Sequence, residues 1–418
     1  MDINELLKGV KCACKKTHTC DIKYVYIERN ATHRLSEICN EFHSILLVAD
    51  ENTFGAAGSK TEKALGEKIS SKIIFGKDIL VPNEDAIKAV SDALLGIDMI
   101  VGIGSGVIQD LCKYVSFESG IPYVIVATAP SMDGYASNGA AMITGGMKVT
   151  YPATLPLAIV ADTEVLAAAP IEMLKAGYGD IIGKYSALND WKLSHLINNE
   201  YFCPYIYDLT YNQIERTLKL ADGLLRRNEE SVKAVMEALV VIGILMSFAG
   251  SSRPASGSEH HLSHFFEITG IIDNTEYFPH GIDVAFSTVI TAKIREKILN
   301  GEFPQKIYRE SKEQLKSNLC AIYKQVADGC IALQEKVGNY ENDRTALYLE
   351  KEAKIREILG EMPSSQEIEN MLSLVGLDMN DFYSLYGKEK IQTAVLYAKD
   401  LKDRYTVLWI NYDFYGGV

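Results

Sequence analysis

Apolar positions along the chain follow two regimes. From residue 22 to about 162, short apolar runs rich in β-branched residues alternate with segments whose apolar residues recur at three-to-four spacing. The runs at 22–27, 44–49, 72–75, 99–102, 123–127 and 157–161 are strand-sized, and several are continuously apolar. Strands buried on both faces read this way. The segments 61–69, 84–95 and 107–117 carry helical spacing. This alternation predicts a parallel sheet with helices on both faces. After Thr163 strand-like runs nearly vanish, and the pattern predicts helices over 170–175, 181–196, 209–227, 229–250, 282–299, 306–335, 346–359 and 365–375. The interleaved charges of 309–336 read as the solvated face of one long helix. No internal repeat or low-complexity stretch interrupts the pattern.

Composition narrows the function classes. At 418 residues the chain calls for two domains. Its net charge of -13 argues against nucleic acid or an anionic membrane as partner, while a local helix N-terminus or metal can still receive an anion. The apolar run 238–250 is shorter than the roughly 20 residues that span a bilayer, so it reads as a central helix without membrane insertion. The first residues lack the basic and apolar regions of a signal peptide, and a cytoplasmic protein is expected. Eight cysteines in so long a chain do not make a disulfide framework. Cys12, Cys14 and Cys20, with His18 among them, are either reduced structural thiols or a second metal or redox site.

Candidate chemistry gathers at a few places. Gly102-Ile103-Gly104-Ser105-Gly106-Val107-Ile108-Gln109-Asp110 follows an expected strand and opens an expected helix, so its backbone can approach a phosphate at a helix N-terminus. Val107 breaks the G-x-G-x-x-G order, which leaves a plain tight turn as the alternative. Asp50 ends the run Ile45-Leu46-Leu47-Val48-Ala49 and either takes ribose hydroxyls or caps the next helix. Thr128-Ala129-Pro130-Ser131-Met132-Asp133-Gly134-Tyr135-Ala136-Ser137 starts at the carboxyl end of another strand, where such sheets bind ligands. Here Asp133 is a candidate acceptor for a substrate hydroxyl.

Three potential metal ligands stand out downstream. Asp180 closes Ala176-Gly177-Tyr178-Gly179-Asp180, which reads as a glycine-loosened turn before a helix. His260 lies in Ser256-Gly257-Ser258-Glu259-His260, which fits a capping box and places His260 and His264 on one helix face. His280 precedes Gly281. One carboxylate and two imidazoles leave a coordination position open, as a catalytic divalent cation requires.

The chain resembles the sn-glycerol-1-phosphate dehydrogenase family, in the superfamily that also holds glycerol dehydrogenase, iron-containing alcohol dehydrogenases and dehydroquinate synthase. The stretches 127–137, 176–184 and 256–260 carry the resemblance, which runs in order from about residue 22 to 300. It implies an α/β fold: a Rossmann-like parallel-sheet domain over 1–165 for the nicotinamide cofactor, then an all-helical domain over 166–418 for metal and substrate. It places Asp180, His260 and His280 as metal ligands. Asp133 and His264 become catalytic and substrate contacts, with Asp180 also beside the substrate. Asp50, Gly104, Gly106, Val107, Ile108, Gln109, Asp110, Thr128, Ser131 and Ser137 become cofactor contacts. The implied cofactors are NAD(H) or NADP(H) and one divalent metal, zinc or nickel. The implied partners are a small phosphorylated substrate and a second copy in a homodimer. Interconversion of dihydroxyacetone phosphate and sn-glycerol 1-phosphate is the expected reaction; a dehydrogenase of unphosphorylated glycerol or a dehydroquinate synthase-like cyclase is the alternative.

Overall fold

A computed structural model describes residues 2–76, 80–144 and 147–416. The chain packs as two compact units, Met1–Ile181 with Glu215–Ser252, and Ile182–Ile214 with Arg253–Val418. The expected boundary at residue 165 falls inside the first of these units.

In the first unit, β1 (Val10–Lys11) and β2 (Thr17–His18) form a small antiparallel hairpin. β3 (Tyr24–Glu28), β4 (Ile45–Asp50), β5 (Ile69–Phe75), β6 (Met99–Gly104), β7 (Tyr123–Ala127) and β10 (Ala158–Asp162) form one six-stranded parallel sheet in the order β3-β10-β7-β6-β4-β5. β6, β7 and β10 are buried at every position, which is why they read as continuous apolar runs. β8 (Gly139–Thr144) and β9 (Met147–Pro152) add an antiparallel hairpin that the apolar pattern did not predict.

Helix bounds moved where caps and glycines decide. The helix expected at 61–69 runs from Glu51 to Leu65: Asp50 and Thr53 close a capping box at its start, and Gly66 at φ 57 ends it, leaving Ile69 to open β5. The helices Glu84–Asp92 and Gly106–Ser119 lie close to their expected ranges. The Glu229–Ala249 helix is long and apolar enough to cross a bilayer by length and composition, yet 83% of its most apolar window is buried inside the protein. The turn expected at 176–180 does not exist, because helix Ile171–Asn198 runs through it.

The second unit is helical among its described residues. Helices Ser258–Asp273 and His280–Asn300 pack side by side, followed by further helices up to Val407–Tyr415. The long helix expected over 306–335 is instead two, Lys312–Tyr323 and Ala327–Val337, broken at Lys324 with φ 45. Nor is that region only a solvated face, since Leu319 and Tyr323 are buried. The terminal helix is core: Leu408, Trp409 and Ile410 are fully enclosed. Asp190 ties this unit together, accepting from Arg295 at 2.8 Å, from the Val407 backbone N–H at 2.9 Å and from the Ser258 backbone N–H at 2.7 Å. Removing one partner from a buried ion pair of this kind costs about 3–5 kcal/mol, because the other charge is left uncompensated.

Candidate active site

The first unit offers a binding edge built from backbone. After β4 the chain adds β5 on one side and then crosses to β6 on the other, so the strand order reverses between β4 and β6. Open α/β sheets bind ligands outside the carboxyl ends of strands at such a point. Asp50 and Gly104 end these two neighbouring strands. Ser105, at the start of the Gly106–Ser119 helix, makes no side-chain cap bond to it, so the first-turn N–H groups are left for a ligand. Gly104 has a packing reason of its own: a Cβ there would lie 2.5 Å from that of Ile108. Gly106 is open, with nothing closer to an added Cβ than Met132 at 3.9 Å.

Asp50 caps its helix by accepting the Thr53 backbone N–H at 2.8 Å. The capping alternative is therefore present, and it engages one carboxylate oxygen. Gln109 is fully buried and donates to the Tyr123 hydroxyl and the Tyr135 carbonyl. Asp110 pairs with Lys113 at 3.4 Å.

Lys113 was not singled out from sequence, and it organises the loop after β7. Fully buried, with burial holding its ammonium below the usual lysine range, it donates to the Gly134 and Gly139 carbonyls and to Ser137 Oγ. Thr128 is fixed by its N–H to the Gly104 carbonyl and Ser131 by its N–H to that of Ala129. Two glycines let helices close on this loop. A Cβ on Gly177 would lie 1.8 Å from the Pro130 carbonyl oxygen, and one on Gly243 would lie 2.9 Å from that of Asp133. Gly177 thus serves a close approach inside a helix. At the end of this clamp the Asp133 backbone N–H donates to Asp180 Oδ2 at 3.0 Å, and Asp180 is buried.

The second unit supplies a histidine cluster built from side chains. His260 and His264 project from helix Ser258–Asp273, and His280 opens helix His280–Asn300. Ring centroids are 5.1 Å apart for His260 and His280, 5.4 Å for His264 and His280, and 6.2 Å for His260 and His264. The capping box expected from Ser256 is absent: Gly257 is the N-cap and makes no side-chain cap bond. Glu259, on the first turn, bends back instead, accepting the Gly257 N–H at 2.8 Å and meeting His260 Nδ1 at 2.7 Å. Burial, and then Asp190, push the Glu259 carboxyl up to about 7; once ionised it accepts from Nδ1–H and fixes the tautomer that presents Nε2 to a metal. Burial, and then the nearby Lys184 ammonium, keeps His260 well below the usual imidazole range, so it is neutral and able to ligate. Burial and Lys402 push His264 down to about 3, with Glu267 at 3.6 Å from Nδ1. Glu259 entered the sequence reading only as a capping-box residue, and Glu267 and Lys402 escaped it, because their partners are set by packing.

Arg253 donates to Glu200, to Ser194 Oγ and to the Tyr405 carbonyl. Lys184 and Lys402 are the cations whose charge reaches His260.

Comparison with known proteins gives this arrangement a family. A profile of iron-containing alcohol dehydrogenases matches residues 26–170. The glycerol-1-phosphate dehydrogenase (NAD(P)+) of Geobacillus thermodenitrificans is 31% identical over 377 residues, covering 87% of this chain and 86% of the relative. That of Halalkalibacterium halodurans is 33% identical over 306 residues, covering 70% and 77%. The chain belongs to the glycerol-1-phosphate dehydrogenase family. Its fold agrees with solved iron-containing alcohol dehydrogenase structures. Maleylacetate reductase from Rhizobium superposes with a TM-score of 0.63 at 12% identity, covering 96% of this chain and 98% of that one. An NAD+ complex of sulfoacetaldehyde reductase from Bifidobacterium kashiwanohense gives 0.60 at 13% identity, with 90% of each chain covered. As a member of the glycerol-1-phosphate dehydrogenase family the chain is a nucleotide- and metal-dependent oxidoreductase. The sheet edge and the histidine cluster have the chemistry these two groups need.

Proposed function

We propose that this enzyme interconverts dihydroxyacetone phosphate and sn-glycerol 1-phosphate, with residues 1–165 binding NAD(H) or NADP(H) and residues 166–418 binding metal and substrate. The observation that carries the reading is the oriented, neutral His260, with its Nδ1 held by Glu259 and cationic Lys184 and Lys402 nearby. Asp180, His260 and His280 hold a divalent cation, zinc or nickel, two borderline metals that imidazole suits. Asp180 lies one turn before Lys184 on helix Ile171–Asn198, so the two share a helix face. Family resemblance further supports a cytoplasmic homodimer.

Bound there, the cation supplies Lewis-acid polarisation of a ketone oxygen, and the nicotinamide supplies the hydride. The protein's own groups do the rest. The first-turn N–H groups at Gly106, Val107 and Ile108 receive the cofactor pyrophosphate, beside Thr128, Ser131 and Ser137. Asp50 accepts from a ribose hydroxyl with the oxygen not used by Thr53. Asp133 accepts from the substrate's free hydroxyl, and Lys184 and Lys402 neutralise its phosphate. His264 is neutral at pH 7, so it relays rather than stores a proton: with the Glu267 carboxylate facing Nδ1–H, Nε2 accepts from a water at the substrate oxygen.

Steady-state kinetics on the metal-loaded enzyme test this. Dihydroxyacetone phosphate should exceed dihydroxyacetone in kcat/KM by on the order of 10³, the scale of a site whose buried donors lose their partner. Equal efficiency on the two ketones contradicts the phosphate reading.

A further inference from the structure

The N-terminal hairpin carries chemistry that the dehydrogenase reaction does not use. β1 and β2 pair over only two residues each, Val10 with His18 and Lys11 with Thr17. An isolated hairpin of this size is not stable on its own. The intervening turn is drawn tight: Lys15 takes φ 70, its N–H reaches the Cys12 carbonyl at 3.0 Å, and the Cys12 N–H reaches the Lys16 carbonyl at 3.1 Å. This fold-back brings one ligand atom each from Cys12, Cys14 and His18 within 4.8 Å of one another. Cys14 Sγ lies 3.4 Å from His18 Nε2. The Cys-x-Cys spacing, tighter than usual for metal ligands in sequence, is accommodated by the left-handed turn at Lys15.

His18 is prepared as a ligand. Its ring is buried and stacked on Phe248 with centroids 5.3 Å apart, and Nδ1 lies 3.0 Å from the Phe248 carbonyl oxygen. A carbonyl can only accept, so Nδ1 carries the proton and Nε2 presents its lone pair toward the two thiols. Donation of the non-ligating ring N–H to a backbone carbonyl is the usual outer-shell support of a metal-bound histidine. Cys20, just beyond His18 in the same segment, is instead buried against Ser247 and stands outside the cluster.

We propose that Cys12, Cys14 and His18 form a second metal site, for zinc, that pins the N-terminal hairpin to helix Glu229–Ala249. Two thiolates and one imidazole are a soft set that selects zinc over the hard cations, and a water or another thiolate fills the fourth tetrahedral position. Binding releases the two thiol protons to solvent, with no redox change. The site is independent of the proposed catalytic metal, whose ligands contain no sulfur.

The full-length protein is metal-stripped, loaded with zinc and assayed for metal content, then loaded with cobalt(II) and examined by absorption. Wild type should hold one metal equivalent beyond the catalytic one and show the intense near-ultraviolet thiolate-to-cobalt charge-transfer band. The Cys12→Ser/Cys14→Ser double variant should lose that equivalent and the band, whereas Cys20→Ser keeps both. His260→Ala should lose the other equivalent and keep the band, which separates failure here from failure of the catalytic reading. The wild-type spectrum does not depend on how the variants fold: no thiolate band in the cobalt-loaded wild type overturns the proposal. So does a band that survives the double variant or vanishes with Cys20→Ser.

Discussion

On the proposed reading, the sheet edge and the histidine cluster solve the same problem, holding a charged group in place, by opposite means. At the sheet edge the ligand-facing elements are main chain, and the polar side chains nearby are consumed in shaping it: Gln109, Lys113 and Ser137 bond to the loop itself. At the cluster the main chain is ordinary helix, and neutral imidazoles held by Glu259 and Glu267 carry the chemistry. The lesson is where each site is vulnerable. A backbone-built site fails through added atoms, at glycines; a side-chain-built site fails through removed ones.

The largest effect should come from removing a ligand. His260→Ala is expected to lose the catalytic metal and at least about 10³-fold in turnover, the several kcal/mol of charge stabilisation that a cation supplies. Metal analysis beside initial rates checks this, and full metal occupancy with full activity removes His260 from the set. Next comes the added atom. Gly177→Ala forces the 130–136 loop off its helix, and a displacement near 1 Å should cost on the order of 10² in kcat/KM with metal still bound. An alanine variant with wild-type kinetics shows that the clamp on Pro130 does not matter for Asp133.

Smaller effects sharpen the contrast. Glu259→Gln keeps an acceptor for the Gly257 N–H but lacks the charge that Glu259, pushed up to about 7, carries behind His260 in mildly alkaline solution, so metal affinity there should fall about 10–100-fold, read by chelator competition. Unchanged affinity assigns Glu259 to helix capping alone. Asp50→Ala should narrow any preference for NADH over NADPH severalfold while costing about 1 kcal/mol of stability from the lost cap. The cofactor ratio and the thermal midpoint report the two roles separately.

The same division explains what the sequence made legible. The inner strands β4, β6, β7 and β10 stood out because burial on both faces leaves continuous apolar runs, and Asp50, Gly104 and Thr128 could be placed at strand ends once those runs were found. The β8–β9 hairpin did not, because Gly139-Ala140-Ala141-Met142 has little β-branched character and its partner strand is polar in part. The start of helix Glu51–Leu65 was missed although Asp50 and Thr53 spell its cap; around a single Phe54 the run from Asn52 to Gly58 is small or polar, with no apolar stripe. Gly177 was misread as a turn residue because a glycine's two uses, freedom of φ and room for a neighbour, look alike in sequence. The histidines were visible as residue types at suggestive spacing. Lys113 and Lys402 were not, since the groups they serve lie 21 residues away in one case and more than a hundred in the other.

Product stereochemistry tests the central claim most directly. Metal-stripped protein is reconstituted with zinc or nickel and given dihydroxyacetone phosphate with NADH or NADPH, and the glycerol phosphate formed is assayed for its enantiomer. The account predicts sn-glycerol 1-phosphate, formed only by metal-loaded protein and lost with His260→Ala. Formation of the sn-3 enantiomer, or equal turnover in the stripped and reconstituted protein, contradicts it.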